Sequence, residues 1–312
     1  MEQFNSKILL FGEYAVLHNG MALVIPCDKY HGHFEFYGAS GNNNKAIQSN
    51  EYLRKFCAFV SSQVNPKFAL EVKLFEQELE RGLFFRSNIP QGCGLGSSGA
   101  LVAAIVLRYL VKAKNLKDEL KELTFQKLKE LKTSLGDLES YFHGVSSGLD
   151  PLSIILNEPI LYKNTHDIAT AKLPAPSSEK KNVVFLLDTQ HSRTTSKMMR
   201  LFNHLHDQDS FRDMFEENIV HNNNEAVKSF LENDTEHFYE ALHDLSAFQL
   251  EYMKDFFPEP VRKDVAEGLA NGDYYLKLCG SGGGGFMLGF TQNWEATQKQ
   301  LQSYKLEEIY SY

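Results

Sequence analysis

Apolar positions change period several times along this chain, and each period predicts an element. Residues 7–11 hold Ile8, Leu9, Leu10 and Phe11 in an unbroken run, which predicts a short buried strand. Gly12-Glu13-Tyr14 interrupts it, and 22–26 resumes strand character. Residues 31–37 alternate as His-Gly-His-Phe-Glu-Phe-Tyr, a strand pattern, and 68–75 and 82–88 are further strand candidates. Leu101, Ile105 and Tyr109, with Val102, Val106 and Leu110, recur every four residues and predict a helix with a broad buried face. Residues 120–131 and 135–142 predict two more helices, and 160–162 a return to strand. Residues 163–181 are polar and irregular, with Pro174, Pro176, Ser177 and Ser178. They mark a domain boundary, dividing 1–172 from 173–312. Residues 183–187 open the second half as a buried strand, and helical patterns follow to about Phe257. Residues 274–279 and 286–290 read as strands joined by a glycine loop.

Composition narrows the class. The 312 residues suffice for two domains, and the 43% apolar fraction predicts a buried core. No run of about 18 apolar residues occurs, so no membrane-spanning helix is expected. Met1 to Lys7 lacks a basic stretch before an apolar core, so no secretory signal is expected. A formal charge of −8 argues against nucleic acid or an anionic membrane as partner, and leaves room for a small anionic substrate bound by a local basic cluster. Cys27, Cys57, Cys93 and Cys279 show no CxxC spacing and read as reduced thiols of a cytoplasmic protein.

The candidate chemistry centres on Gly92-Cys93-Gly94-Leu95-Gly96-Ser97-Ser98-Gly99, which leads straight into the predicted helix. Glycines let backbone N–H groups converge, and a helix N-terminus adds donors and a positive dipole end. The product is a phosphate pocket, with the Ser97 and Ser98 hydroxyls able to reach a phosphate oxygen or a metal ion. A serine-capped glycine turn is the plain alternative. No lysine stands where a Walker A loop requires one, and the His-Arg-Asp and Asp-Phe-Gly motifs of protein kinases are missing.

A second cluster, Lys277-Leu278-Cys279-Gly280-Ser281-Gly282-Gly283-Gly284-Gly285, reads either as a loop closing over phosphate or substrate, or as a mobile hairpin turn. Asp150 follows a small-residue turn and is either a helix cap or a group that deprotonates an alcohol. Glu139, eleven positions earlier, is a candidate Mg²⁺ ligand. Lys7, before a buried strand, is a solvated strand end or a charge neutraliser beside Asp150. His31 and His33 share a strand face without a third metal ligand, and His204 and His206 point to different faces of a probable helix.

These segments together resemble the galactokinase, homoserine kinase, mevalonate kinase and phosphomevalonate kinase superfamily, and most of all its mevalonate kinases. Lys7 to Val16 resembles the N-terminal motif, Gly94 to Ser98 the ATP phosphate loop, His143 to Asp150 the segment His-Gly-Asn-Pro-Ser-Gly-Val-Asp, and Lys277 to Gly285 the C-terminal glycine motif. The resemblance implies a ribosomal protein S5 domain 2-like α/β N-terminal domain, a ferredoxin-like α+β C-terminal domain, and an active site in the cleft between them. It implies ATP-dependent phosphorylation of the primary alcohol of mevalonate, with ATP and Mg²⁺ as cofactors, by a monomer or homodimer. Asp150 and Lys7 match the catalytic pair, and Ser98 and Glu139 the Mg²⁺ ligands. Gly92, Gly94, Leu95, Gly96, Ser97, Ser98 and Gly99 match the nucleotide loop. Glu13, Tyr14, Thr195, Gly280, Ser281 and Gly282 match the acceptor pocket. The chain departs from the pattern at Phe4-Asn5-Ser6 for Ala-Pro-Gly, Tyr14 for His, Val145-Ser146 for Asn-Pro, and Gly99 for Ala. The string Gly12 to Leu17 also resembles phosphomevalonate kinases, which would need further cations such as Arg193 or Lys197. A ligand-binding protein that kept the fold without turnover is the alternative of another class.

Overall fold

The computed structural model describes residues 2–38, 44–62, 69–111, 124–164, 166–191 and 195–312. Two antiparallel-rich sheets organise them. The first contains β1 (Phe4–Phe11), β2 (Ala22–Phe36), β3 (Leu83–Ser87), β4 (Ile160–Asn164) and β5 (Asp167–Thr170), in the order β1-β2-β4-β5 with β3 also on β2. The second runs β7 (Tyr274–Leu278), β8 (Phe286–Thr291), β6 (Val183–Asp188), β9 (Lys305–Ser311).

The chain divides into two compact units. One comprises Met1–Lys7, Pro26–Pro90 and Gly96–Glu158; the other comprises Ile8–Ile25, Gln91–Leu95 and Pro159–Tyr312. This division does not follow a single cut near residue 172, and β2 shows why. The segments 22–26 and 31–37, expected as separate strands, are one 15-residue strand. Its first part pairs Ala22 to Val24 with Tyr162 to Ile160, and its last part pairs Gly32 to Phe36 with Ser87 to Leu83. One strand therefore serves both units.

In the first unit, helices pack on β3 and on one another. They are α1 (Asn44–Ser62), α2 (Val72–Glu80), α3 (Ser97–Tyr109), α4 (Phe125–His143) and α5 (Leu149–Leu156). Helix α3 is apolar on nearly every side, and Gly99 through Val106 are all buried, so it forms the spine of the unit. The strand expected over 68–75 is a helix from Val72; Phe68 itself lies outside the described residues. Its first residues alternate, but Glu76-Gln77-Glu78-Leu79-Glu80 are strong helix formers, and the helix buries Phe75 and Leu79 one turn apart. The two helices expected over 120–131 and 135–142 are the single helix α4, with 120–123 outside the described residues.

In the second unit, β6 is central and buried over Val183 to Leu187. Phe185 lies across Gly289 of β8, where a Cβ would stand 2.1 Å from the ring. Phe11, Phe230, Phe238 and Phe290 form an aromatic core with centroids 5.4–6.3 Å apart. Residues 163–181, expected to be irregular, include β5, and the C-terminal strand β9, unassigned from the sequence, completes the second sheet. No helix among the described residues is long and apolar enough to cross a membrane.

Candidate active site

The first unit brings four of the expected residues together. Lys7 lies mid-way along β1, buried, and its Nζ stands 2.9 Å from Asp150 Oδ1. Asp150 occupies the first turn of α5, behind Gly148 at the N-cap, where the helix dipole favours an anion. Helix α3 starts beside it. Gly96 caps α3 at a φ of 76°, and a Cβ there would meet Lys7 Cγ at 2.9 Å, so the lysine stem rests on loop backbone. Gly99, one turn on, faces Asp150: an added Cβ would stand 2.9 Å from Asp150 Cβ and 3.0 Å from Pro151 N. The departure Gly99 for Ala is therefore a backbone-close contact between two helix N-termini.

Ser98 and Glu139 meet from α3 and α4. Ser98 Oγ donates to Glu139 Oε1 at 2.8 Å, and Ser146 Oγ donates to Glu139 Oε2 at 2.5 Å. Ser146 also accepts from the Gly148 backbone N–H at 3.0 Å, which ties the turn before α5 to the carboxylate. In the sequence, Ser146 stands out only as a departure from Asn-Pro. A hydroxyl two positions before a left-handed glycine was the available signal, but its partner lies on another helix.

Glu139 is 3% exposed, and its pKa is pushed up to about 7. Loss of hydration is the largest cause and the charge of Asp150 the next; hydrogen bonds from Ser146 and Ser98 and the charge of Lys7 act the other way. A buried carboxylate beside a second carboxylate and a serine hydroxyl is an oxygen donor set that suits Mg²⁺. The raised pKa has a measurable sign. The folded chain keeps this proton at a pH where the unfolded chain, with an ordinary value of 4.5, has lost it. The stabilisation is complete below the lower value and is lost as pH rises to about 7. In chelator, wild type is expected to lose stability between roughly pH 5 and 7 relative to Glu139→Gln. Urea melts of both proteins across that range check this, and a constant difference between them would reject the raised value.

The second unit holds the rest of the loop and the second glycine cluster. Gly92 and Gly94 both have left-handed φ values, 71° and 76°. A Cβ on Gly94 would meet Cys279 O and Gly280 Cα at 3.4 Å, and one on Gly285 would meet Cys93 at 3.0–3.1 Å, so the two glycine segments lie against each other. The run from Gly280 to Gly285 is fastened by backbone bonds. Gly283 N–H donates to Phe256 O at 2.6 Å, Gly285 N–H donates to His191 O, and Gly285 O accepts from Thr189 N–H and Oγ1.

Glu13 and Tyr14 reach the same segment from the turn after β1. Lys277 Nζ, with a fully buried side chain, donates to Glu13 Oε1 at 2.7 Å, and the glutamate side chain is 2% exposed. Tyr14, at a strained φ of 60°, donates its hydroxyl to Ser281 O at 2.7 Å and stacks on Phe202 at 4.3 Å. Burial and the Glu13 charge raise the Tyr14 pKa, keeping it a neutral donor. Thr195 is exposed at the start of α6 (Thr195–His206), the helix that carries Phe202. Arg193 lies outside the described residues, and Lys197 is exposed on α6.

Three solved structures share this architecture. The L. major mevalonate kinase in complex with R-mevalonate matches at a TM-score of 0.65 and 16% identity, over 99% of this chain and 94% of that one. The Streptococcus pneumoniae phosphomevalonate kinase in complex with phosphomevalonate and AMPPNP matches at 0.58 and 16%, over 99% of both chains. Lactococcus lactis galactokinase complexed with galactose matches at 0.58 and 14%, over 99% of this chain and 92% of that one. Residues 67–157 match the family described as "GHMP kinases N terminal domain". The fold is that of the GHMP kinases. The GHMP kinase N-terminal match takes in Ser98, Glu139 and Asp150, whereas Lys7 and the segment 277–285 lie outside it. No curated protein matches the sequence.

Proposed function

We propose that this chain is a small-molecule kinase that moves the terminal phosphoryl group of ATP onto an alcohol, with mevalonate as the acceptor. The observation that carries the reading is the 2.9 Å Lys7–Asp150 pair, set at the α3 N-terminus that presents Ser98 to Glu139. The shared fold of the GHMP kinases supports it.

Backbone N–H groups of 92–99 bind phosphate oxygens, aided by the dipole of α3. Asp150 accepts a hydrogen bond from the acceptor hydroxyl and so fixes its oxygen. As that oxygen bonds to phosphorus, the carboxylate takes the proton, and the electron pair of the breaking P–O bond departs with ADP. Lys7 holds the Asp150 carboxylate in place, and its charge offsets negative charge at the reacting oxygens. Mg²⁺, held by Glu139 and Ser98, supplies charge neutralisation at the phosphates when bound. Glu13, Tyr14, Thr195, Gly280, Ser281 and Gly282 are assigned to acceptor recognition on the family resemblance alone.

ADP release measured with mevalonate, its 5-phosphate, galactose and homoserine tests the reading. Highest kcat/KM is expected on mevalonate. Preference for the 5-phosphate would replace the acceptor, and absence of ADP with every alcohol would replace the kinase reading with a ligand-binding one.

A further inference from the structure

A second constellation lies in the second unit and has no part in the chemistry above. His18 ends the short helical turn Ala15–His18, His206 ends α6, and Glu216 stands on the π-helical segment Phe215–Val220. One ligand atom from each lies within 4.8 Å of the other two. The His18 and His206 rings face each other with centroids 3.9 Å apart and planes 31° apart. His206 Nε2 is buried and has no hydrogen-bond partner among the described residues. A buried ring nitrogen without a partner costs free energy, and a bound cation is one way to satisfy it.

The surroundings favour such an ion. Both histidines sit at helix C-termini, where exposed carbonyls carry partial negative charge and attract cations. Phe202 and Phe215 flank both imidazoles, with centroids 5.2–6.0 Å from one another and from the rings, so packing holds the two half-buried rings in place. Glu216 is exposed, which leaves an entry path and adds a negative charge at the rim. The segment that carries it is a π-helix, a form found frequently at functional positions.

We propose that His18, His206 and Glu216 form a binding site for one zinc-class divalent ion. Two imidazoles and a carboxylate suit Zn²⁺, Co²⁺ or Ni²⁺ and not Mg²⁺ or Ca²⁺, which take oxygen donors. Three protein ligands leave a fourth position for water. The ion would join three segments: the turn after Tyr14, the C-terminal end of α6 and the π-helix. Tyr14 stacks on Phe202, one turn before His206, so the site fixes the helix against the tyrosine that touches the 277–285 segment. The proposal stands apart from the kinase reading, since none of its residues is used there.

The full chain, stripped with chelator and kept in excess Mg²⁺ to occupy oxygen sites, is titrated with ZnCl₂ by calorimetry. Wild type is expected to take one saturable equivalent. Glu216→Gln and His206→Gln should each weaken it at least about 10²-fold, since even partners of a ligand cost up to that much. Glu216 is exposed, so its variant should keep the fold, which circular dichroism verifies. His204→Gln, altering an exposed neighbour on the same helix, should leave the affinity unchanged. Co²⁺ in place of Zn²⁺ should give an intense visible spectrum in wild type that Glu216→Gln loses. No saturable zinc in wild type would overturn the site, as would an equivalent that survives undiminished in folded Glu216→Gln.

Discussion

Asp150→Asn is expected to lower turnover at least about 10²-fold while ATP binding stays intact, because the amide cannot accept the acceptor's proton. Asn is tolerated in a first helical turn, and the Gly148 cap and the buried residues of α5 are untouched, so the variant should fold. Its carbonyl oxygen can still accept from Lys7 Nζ, which preserves the geometry and isolates the loss of basicity. Steady-state ADP release together with nucleotide titration separates the two quantities. Turnover within a few-fold of wild type would remove Asp150 from the role of base, and equal loss of ATP affinity would make it a structural residue.

Lys277→Met is expected to destabilise the fold by about 3–5 kcal/mol, because it leaves the buried Glu13 carboxylate without its cationic partner. Lys277 Nζ is committed in three directions. It donates to Glu13 Oε1 at 2.7 Å and to Leu278 O at 2.9 Å, and it lies 5.4 Å from the centre of the Phe11 ring. Methionine matches the stem but none of the charge. The double variant Glu13→Gln/Lys277→Met should recover much of the loss, since a buried neutral amide costs less than a buried anion that has lost the lysine charge. Urea denaturation of the two singles and the double measures the coupling. Additive losses would mean that the pair contributes packing and not charge.

Much of the candidate site stands out along the chain because glycines and small polar residues mark it locally. Gly94 to Ser98 and Lys277 to Gly285 announce tight turns through composition alone. What spacing could not reveal was pairing across large separations. Nothing in the order of residues joins Ser98 to Glu139, 41 positions on, or Glu13 to Lys277, 264 positions on. Ser146 escaped for the same reason, and His18 with His206 lies on elements far apart in the chain. The fold was readable where the apolar period was long, as in α3 and β6. It failed at Val72 to Phe75, where alternation over a few residues was overridden by the helix-forming run that follows. It failed again at β2, where a half-polar middle concealed that two predicted strands are one.

The glycine at position 99 has a consequence for engineering. Since it leaves only backbone between α3 and the side chain at 150, the depth at which the second helix seats is gauged by atoms that mutation rarely changes. A methyl added there would stand 2.9 Å from Asp150 Cβ, so Asp150 would have to give by several tenths of an ångström, a distance that matters when an ångström of misplacement costs about 10²-fold in rate. Position 99 is thus a spacer for the carboxylate proposed to take the proton, and libraries aimed at acceptors larger than the proposed one are best built to vary this shim together with the pocket wall.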